Sequence, residues 1–315
     1  MINDCQKSHV GIDVSKTFLD VYVLPDKKYF RFNNDIKGIN KLVKKIQLFP
    51  NIEIVMEATG GYEQQVAEEL KKANLSVCVA NPRQIRDFAK GLGKLAKTDK
   101  IDAEVIALFS QKVQPMANVI IDENQKKLAE YATRRSQLVR IISVERNHLE
   151  HASKESQKSI NRIIKVLEKE LEKITFAQEK IIQEDSIYSQ KNKILQSIKG
   201  VGSVVSSEII ANLPELGKIE HRQITSLVGL APFNHDSGKL RGKRAIKGGR
   251  KSIRCMLYMA IISGIRYNPR IKEFYQRLRT FGKSPKVAIT ACMRKLLIMM
   301  NAMVRKNELW NSCAI

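Results

Sequence analysis

The first 80 residues alternate between short strand-like apolar runs and stretches with helical spacing of apolar positions. Val10 and Ile12 flank Gly11 in the first run, and the following FLDVYVL is rich in β-branched and aromatic residues, as strands are. Strands that alternate with helices of this length predict an α/β domain with a mixed sheet. The predicted strands cover 8–24 (two strands joined by a tight turn), 28–33, 52–56 and 75–80, and the predicted helices cover 36–48 and 64–73.

The rest of the chain has a helical pattern. The stretch 83–110 is broken at Gly91-Leu92-Gly93, and 122–184 is highly charged, with helical apolar spacing and no glycine or proline. The latter predicts a long helical linker of two helices, either a coiled coil that dimerises or an intramolecular hairpin. Beyond it, two amphipathic helices flank Gly200-Val201-Gly202, a helix–hairpin–helix-like segment in a mostly α domain. We therefore divide the chain into 1–121, 122–192 and 193–315.

The composition indicates a polyanionic partner. The chain of 315 residues carries 55 Lys and Arg against 32 Asp and Glu, a formal net charge of +23. Nucleic acid is the plainest partner for such an excess, and an anionic membrane surface is the alternative. The apolar run 256–262 is too short for a membrane span, and the N-terminus lacks the apolar core of a signal peptide. We therefore expect a cytoplasmic protein without a membrane partner.

The five cysteines are scattered and form no CxxC pair, which favours reduced, buried thiols over a zinc knuckle or a disulfide framework.

Four carboxylates stand at positions that suit metal binding. Asp13 lies late in the first predicted strand and Glu57 ends the run IEIVM, while Asp99 and Asp102 are three residues apart at a predicted helix start. Hard oxygen ligands clustered in this way suit Mg²⁺ (or Mn²⁺), which assists phosphodiester displacement. Each acid also has a purely structural interpretation, as a turn former, a helix cap or a surface ion pair.

A serine precedes the most basic run of the sequence. Ser237 lies between Asp236 and Gly238, and a serine hydroxyl needs activation before it acts as a nucleophile. His235 and Asp236 are candidate helpers, whereas Ser226 and Ser252 are competing candidates that we interpret as structural. The cations of the run either contact phosphates or form a solvated face. The expected nucleic-acid contacts are Gly200 and Gly202, through their backbone amides, and Lys239, Arg241, Lys243, Arg244, Lys247, Arg250, Lys251 and Arg254.

Taken together, the motifs resemble the DEDD transposases of insertion sequences, the IS one-ten family. The resemblance rests on GIDVSK (11–16), EATGGYE (57–63), KTDKIDAEVIA (97–107), IKGVGSVVSSEIIANL (198–213), LVGLAPFNHDSGK (227–239) and GGRKSIRCMLYMAI (248–261). It implies an RNase H-like, RuvC-type N-terminal domain whose four acids are Asp13, Glu57, Asp99 and Asp102. Ser237 matches the family's proposed nucleophile in an APxxxxSG pattern.

The same resemblance implies a chemistry and partners. The reaction would be a Mg²⁺-assisted transesterification through a phosphoserine ester to DNA. The partners would be the element ends and target DNA, a non-coding guide RNA from the element, and further copies of the chain in a dimer or tetramer with a shared site.

Two other functions fit parts of the sequence. A metal-dependent nuclease or junction resolvase would share the acidic domain and use water instead of Ser237. A nonenzymatic DNA-binding protein would explain the charge but would leave four placed acids without a purpose.

Overall fold

The chain forms two compact units, residues 1–120 and 121–315. The structure is a computed structural model and describes residues 7–94, 98–115, 122–234, 236–238, 240–242 and 244–310, with Leu240 and Arg241 as backbone only. The long helices of 122–184 belong to the second unit. The division of the chain into three parts, with 122–192 as a separate middle segment, stays a prediction.

Unit 1 has the predicted mixed sheet, which has five strands, and helices pack on both of its faces. The strand order is β3-β2-β1-β4-β5; β1 pairs parallel with β4 and β4 with β5, and the other two pairs are antiparallel. This arrangement is consistent with the expected RNase H-like fold. The elements are β1 (Ser8–Val14), β2 (Phe18–Leu24), β3 (Lys28–Asn33), α1 (Ile36–Ile46), β4 (Ile52–Glu57), α2 (Glu63–Lys72), β5 (Ser76–Ala80), α3 (Pro82–Gly91) and α4 (Asp99–Val113).

Side-chain alternation along β1 divides unit 1 into two cores. Val10, Ile12 and Val14 are buried on one face with apolar residues of α1 and α2. Gly11 lies on the other face, where α4 packs directly on the sheet. A Cβ on Gly11 would come closer than 3.0 Å to backbone atoms of Ala103 and Ala107, a contact that real Cβ atoms do not make. The glycine therefore sets how closely α4 approaches β1.

Gly11→Ala is expected to destabilise the protein by about 1–3 kcal/mol or more, because the added methyl meets backbone, which cannot rotate away. Gly91→Ala is the matched control, since a Cβ there meets nothing within 4 Å, and it should be neutral or slightly stabilising. Urea or thermal unfolding of the two variants measures the difference. Equal stability would show that β1 and α4 are not in close contact.

Unit 2 is helical apart from a small β region. Its core joins the base of the two long helices to the C-terminal helices. The helices are α5 (Glu123–His151), α6 (Lys154–Glu184), α7 (Ser186–Gln196), α8 (Ser203–Asn212), α9 (His221–Val228), α10 (Lys251–Tyr267), α11 (Pro269–Thr280) and α12 (Pro285–Lys306).

Two long helices, α5 and α6, occupy the stretch 122–184. Asp122 and Ser153 cap their N-termini by accepting backbone hydrogen bonds. The helices pack against each other within the chain, and Arg146 pairs with Glu168 across them at 2.7 Å. The intramolecular hairpin is thus present, and dimerisation remains a prediction.

Helix α12 is the one helix of the described residues that is long and apolar enough to cross a membrane. Half of its most apolar window is buried in the protein, and its buried residues include Ala288, Cys292, Leu296 and Met300. This is the environment of a core helix, which passes the same test of length and composition.

The glycine pair between α7 and α8 has two different roles. Gly200 has φ +105°, and a Cβ on it would lie 2.8 Å from the Cα of Gly264 in α10. Its missing side chain therefore serves close packing within the protein. Gly202 is the N-cap of α8 and has open space around it, so the expected phosphate contact stays a prediction best suited to Gly202.

Candidate metal centre and serine arm

The four predicted acids converge at one edge of the unit 1 sheet. Gly11 and Asp13 are two residues apart on β1, so both side-chain positions face α4. Val55 is the register partner of Gly11 and packs with α4 residues, so Glu57, two residues further on, faces α4 as well. β1 and β4 are parallel, which brings Asp13 and Glu57 to the same end of the sheet.

The first turn of α4 supplies the other two acids. The side chain of Thr98 caps this helix by accepting the backbone N–H of Ile101 at 3.3 Å. Asp99 and Asp102 follow in the first turn, where the helix dipole favours negative charge. His9, near the start of β1, lies 3.2 Å from Ser110 late in α4, and Gly11 meets Ala103 and Ala107. The N-terminal turn of α4 therefore lies towards the strand end that carries Asp13.

The electrostatics of Asp13 reflect this convergence. Burial is the largest cause that raises the pKa of the Asp13 carboxyl, and together with repulsion from four neighbouring carboxylates it brings this pKa to about 6. In decreasing order of effect, these neighbours are Asp102, Glu57, Asp20 and Asp99. The edge thus concentrates negative charge that a bound cation would stabilise.

The acids are near one another but are not arranged as a finished metal site. Among the described residues, no group of three or more His, Cys, Asp or Glu side chains is positioned to hold a metal ion. One reason is visible at Asp99, whose carboxylate accepts a hydrogen bond from Arg31 at 2.6 Å. The donor set itself, four carboxylates, is the type that Mg²⁺ and Mn²⁺ prefer.

A fifth acid, Asp20, was missed by the sequence analysis. It lies directly opposite Asp13 in the β1–β2 register and is buried, with 2% of its surface exposed. Arg31 donates to it at 2.7 Å, and the hydroxyl of Tyr29 donates to the same oxygen. Arg31 thus bridges Asp20 and Asp99. The available signal was the single charged residue inside the apolar strand FLDVYVL.

A second residue missed from the sequence fixes the loop after Glu57. The Glu63 carboxylate accepts the backbone N–H groups of Thr59 and Gly61, both at 2.9 Å. Gly60 and Gly61 have φ of +62° and +108°, a region that favours glycine. The motif EATGGYE therefore contains a loop, between β4 and α2, that its last carboxylate holds beside the acid edge.

Ser237 lies near the tip of a β-hairpin that we call the serine arm, residues 232–246. β6 (Pro232–Phe233) pairs with β9 (Ala245–Ile246), and nearer the tip β7 (Asp236–Ser237) pairs with β8 (Leu240–Arg241). Ser237 is exposed, and Gly238 follows it with φ +56°. Asp236 accepts the backbone N–H of Gly242 at 3.2 Å, a contact that stabilises the turn.

The predicted cations divide into two groups. Arg250 donates to both oxygens of Glu215 at 2.6 Å, and Arg254 donates to the backbone oxygens of Val228 and Gly248. These two hold the base of the serine arm and are engaged within the fold. Arg244, Lys247 and Lys251 are exposed. His235, Lys239, Lys243 and the side chain of Arg241 lie outside the described residues. Ser226 and Ser252 are exposed on α9 and α10.

Comparison with known proteins relates both units to one group. A transposase family model, the DEDD type of IS110, matches residues 10–171, and a second, described as transposase of the IS116/IS110/IS902 family, matches residues 192–276. The pilin gene-inverting proteins of Moraxella bovis and Moraxella lacunata are each 27% identical over 313 residues, which cover 96% of this chain and 97% of theirs. An uncharacterized 42 kDa protein of insertion element IS900 from Mycobacterium paratuberculosis is 29% identical over 38% of this chain and 31% of its own.

Proposed function

The chain belongs to the IS110 family of DEDD transposases, and we propose that it cuts and rejoins DNA by transesterification through Ser237. The observation that carries this proposal is the convergence of Glu57 and Asp102 on Asp13 at one sheet edge, where burial and the repulsion from these carboxylates raise the pKa of Asp13. The pilin gene-inverting relatives, whose printed name describes a rearrangement of DNA, span nearly the whole chain and support a reaction that rejoins strands.

Asp13, Glu57, Asp99 and Asp102 would hold the divalent metal, Mg²⁺ or Mn²⁺. When bound there, the ion supplies Lewis-acid stabilisation of charge on a phosphate. The carboxylates have the appropriate oxygen donors, and the mutual repulsion at Asp13 is what a cation relieves. Arg31 stabilises this edge through Asp20 and Asp99, and Glu63 keeps the loop after Glu57 in place.

Ser237 is the proposed nucleophile. Its Oγ forms a bond to the DNA phosphorus while the bond from phosphorus to the leaving strand oxygen breaks. The serine proton goes to a base, and the leaving oxygen takes up a proton. One phosphoester replaces another, so the reversed step rejoins a strand without an external energy source. The exposed position of Ser237 on an arm gives a DNA backbone access to its hydroxyl.

We propose DNA as the substrate and, from the family resemblance, an element-encoded RNA as the guide. The cytoplasm is the proposed location, because it holds both. We also propose a dimer or tetramer, since the two long helices expose apolar side chains to solvent. The most exposed of these are Val166 and Phe176, with 63% and 70% of their surfaces accessible.

The test of the proposed function is formation of joined products. Protein, element-end DNA, target DNA, the flanking transcript and Mg²⁺ are incubated together, and new junctions are amplified and sequenced. We expect junctions that need all five components. Cleaved but never rejoined DNA would support the hydrolytic nuclease, and binding without cleavage would support the nonenzymatic DNA-binding protein.

The exposed cations of the basic run, Arg244 in the serine arm and Lys251 at the start of α10, are expected to make DNA binding depend on salt. The logarithm of the DNA association constant falls with the logarithm of salt concentration, with a slope of about −0.9 for each phosphate neutralised. Arg244→Ala and Lys251→Ala should each flatten the slope by about one unit. Lys37→Ala, an exposed site on α1, is the control. Unchanged slopes for both Arg244→Ala and Lys251→Ala would place these cations away from nucleic acid.

A further inference from the structure

Unit 2 contains a cavity of about 260 Å³ between α11 and α12, away from the serine arm in the sequence. Two aromatic side chains, Phe274 and Trp310, lie in its wall. Three cations and one carboxylate also line it: Arg270, Arg277, Lys295 and Glu273. The remaining wall is apolar and includes Ile271, Cys292 and Met299.

Two of the three cations lie over the Phe274 ring in the cavity wall. The Lys295 ammonium lies 4.6 Å from the centre of the Phe274 ring, and the Arg277 guanidinium lies 5.2 Å from it. Within the part of the chain that the structure describes, neither cation has an ion pair with a carboxylate. Their charge is therefore available to an anion that enters the cavity.

The surrounding sequence reinforces this charge. Residues 251–306, which span α10 to α12, contain 13 Lys and Arg and a single acid, Glu273. An excess of positive charge of this kind attracts phosphates, and a concave site lined by cations concentrates them. Among the described residues that line the cavity, Glu273 is the one carboxylate against three cations, so this lining has a net positive charge.

The wall that carries Trp310 is anchored. The backbone N–H of Trp310 donates to the Ser197 hydroxyl at 2.8 Å, and the indole packs against the unit 2 core. The side chain is half-buried, so one part of the ring contacts protein and another part borders the cavity. An anchored ring loses little conformational entropy when a flat ligand contacts it.

We propose that this cavity binds one unpaired nucleotide of a DNA or RNA strand, with the base against Phe274 or Trp310 and its phosphates near Arg277 and Lys295. This inference rests on the proposed function, in which the chain handles nucleic acid strands. Every base has a π-face, so such a site tolerates many sequences. A base within a duplex is stacked and paired, and it would have to leave the stack before it could enter. The site therefore distinguishes unpaired from paired strands.

Trp310 is the only tryptophan in the chain, so its fluorescence reports on this cavity alone. We expect short single-stranded oligonucleotides of DNA or RNA to quench the emission in a saturable way. A blunt duplex of the same length should quench it far less, and inorganic phosphate should leave it unchanged. The full-length protein is used throughout, and fluorescence anisotropy of a labelled oligonucleotide measures total binding in parallel.

Two variants and one control localise the effect. Arg277→Ala with Lys295→Ala should weaken the quench-derived affinity roughly 10-fold or more. Phe274→Leu keeps apolar packing but removes the ring, and it should weaken the affinity as well. Arg266→Ala with Lys272→Ala removes the same charge from exposed positions outside the cavity and should change the affinity less. Circular dichroism confirms that each variant is folded.

Several results would overturn the inference. Oligonucleotide binding by anisotropy with unchanged Trp310 emission would show that strands bind elsewhere, and the proposed function would stand. An equal loss of affinity in the cavity variants and the control variant would show that binding depends on the overall positive charge and not on the cavity. Quenching by phosphate alone would indicate a simple anion site. No nucleic acid binding by either method would contradict the proposed function together with this inference.

Discussion

Ser237→Ala protein is expected to fold and to bind DNA with unchanged affinity, yet to form joined products about 10⁴-fold more slowly or not at all. The side chain is exposed near the tip of the serine arm, so removing its hydroxyl should change the free energy of unfolding by less than about 0.5 kcal/mol. The substitution therefore slows the joining reaction itself and does not unfold the protein, because no other group forms the bond to the DNA strand. Quantitative amplification of junctions measures the rate, and thermal unfolding measures the stability.

Ser226→Ala and Ser252→Ala are the matched controls. Both serines are exposed hydroxyls of unit 2, on either side of the serine arm in the sequence. Each variant should retain the full rate of joining. If Ser237→Ala joins DNA and one of the other two variants does not, that other serine is the nucleophile. The protein would still be a recombinase.

Asp102→Asn is expected to reduce strand cleavage in Mg²⁺ by about 10³-fold, the equivalent of about 4 kcal/mol of transition-state stabilisation. The amide has the shape of the carboxylate but no negative charge, so it weakens metal binding and removes repulsion at Asp13. DNA binding should be unchanged or slightly tighter, because the surface loses a charge that repels phosphates. Gel analysis of labelled DNA gives the cleavage rate, and titration with Mn²⁺ followed by electron paramagnetic resonance gives metal affinity.

Glu104→Gln tests whether the effect belongs to the acid edge. Glu104 lies on the same helix and pairs with Lys94 at 2.8 Å. Its loss should leave cleavage within about twofold, since surface ion pairs contribute little. A normal cleavage rate in Asp102→Asn would mean that the metal ligands are misassigned.

Local patterns were sufficient to predict most of unit 1. The alternation around Gly11 predicted β1, and the end of the apolar run IEIVM placed Glu57 at a strand terminus. The spacing of Asp99 and Asp102 put both on one helical turn. Parallel pairing of β1 with β4 then brings Asp13 and Glu57 together, a consequence of topology that the strand–helix order already favoured.

Features that depend on partners distant in the sequence were not predictable. Arg31 and Asp99 are 68 positions apart, and Arg250 and Glu215 are 35 positions apart. From the sequence, every cation of the basic run was predicted to contact nucleic acid. The structure separates Arg250 and Arg254, which hold the base of the serine arm, from Arg244 and Lys251, which are exposed. Gly200 shows the same limit, because its close neighbour is Gly264 of another helix.

The central claim, that Ser237 becomes covalently linked to DNA, is tested most directly by mapping the protein–DNA adduct. Labelled element-end DNA is incubated with protein, guide transcript and Mg²⁺, separated by denaturing electrophoresis, digested with protease and analysed by mass spectrometry. The account predicts a slow-migrating, protease-sensitive band whose modified peptide contains Ser237, and no such band with Ser237→Ala. An adduct on another serine or on a tyrosine, or cleavage without an adduct that is equal in wild type and Ser237→Ala, would contradict it.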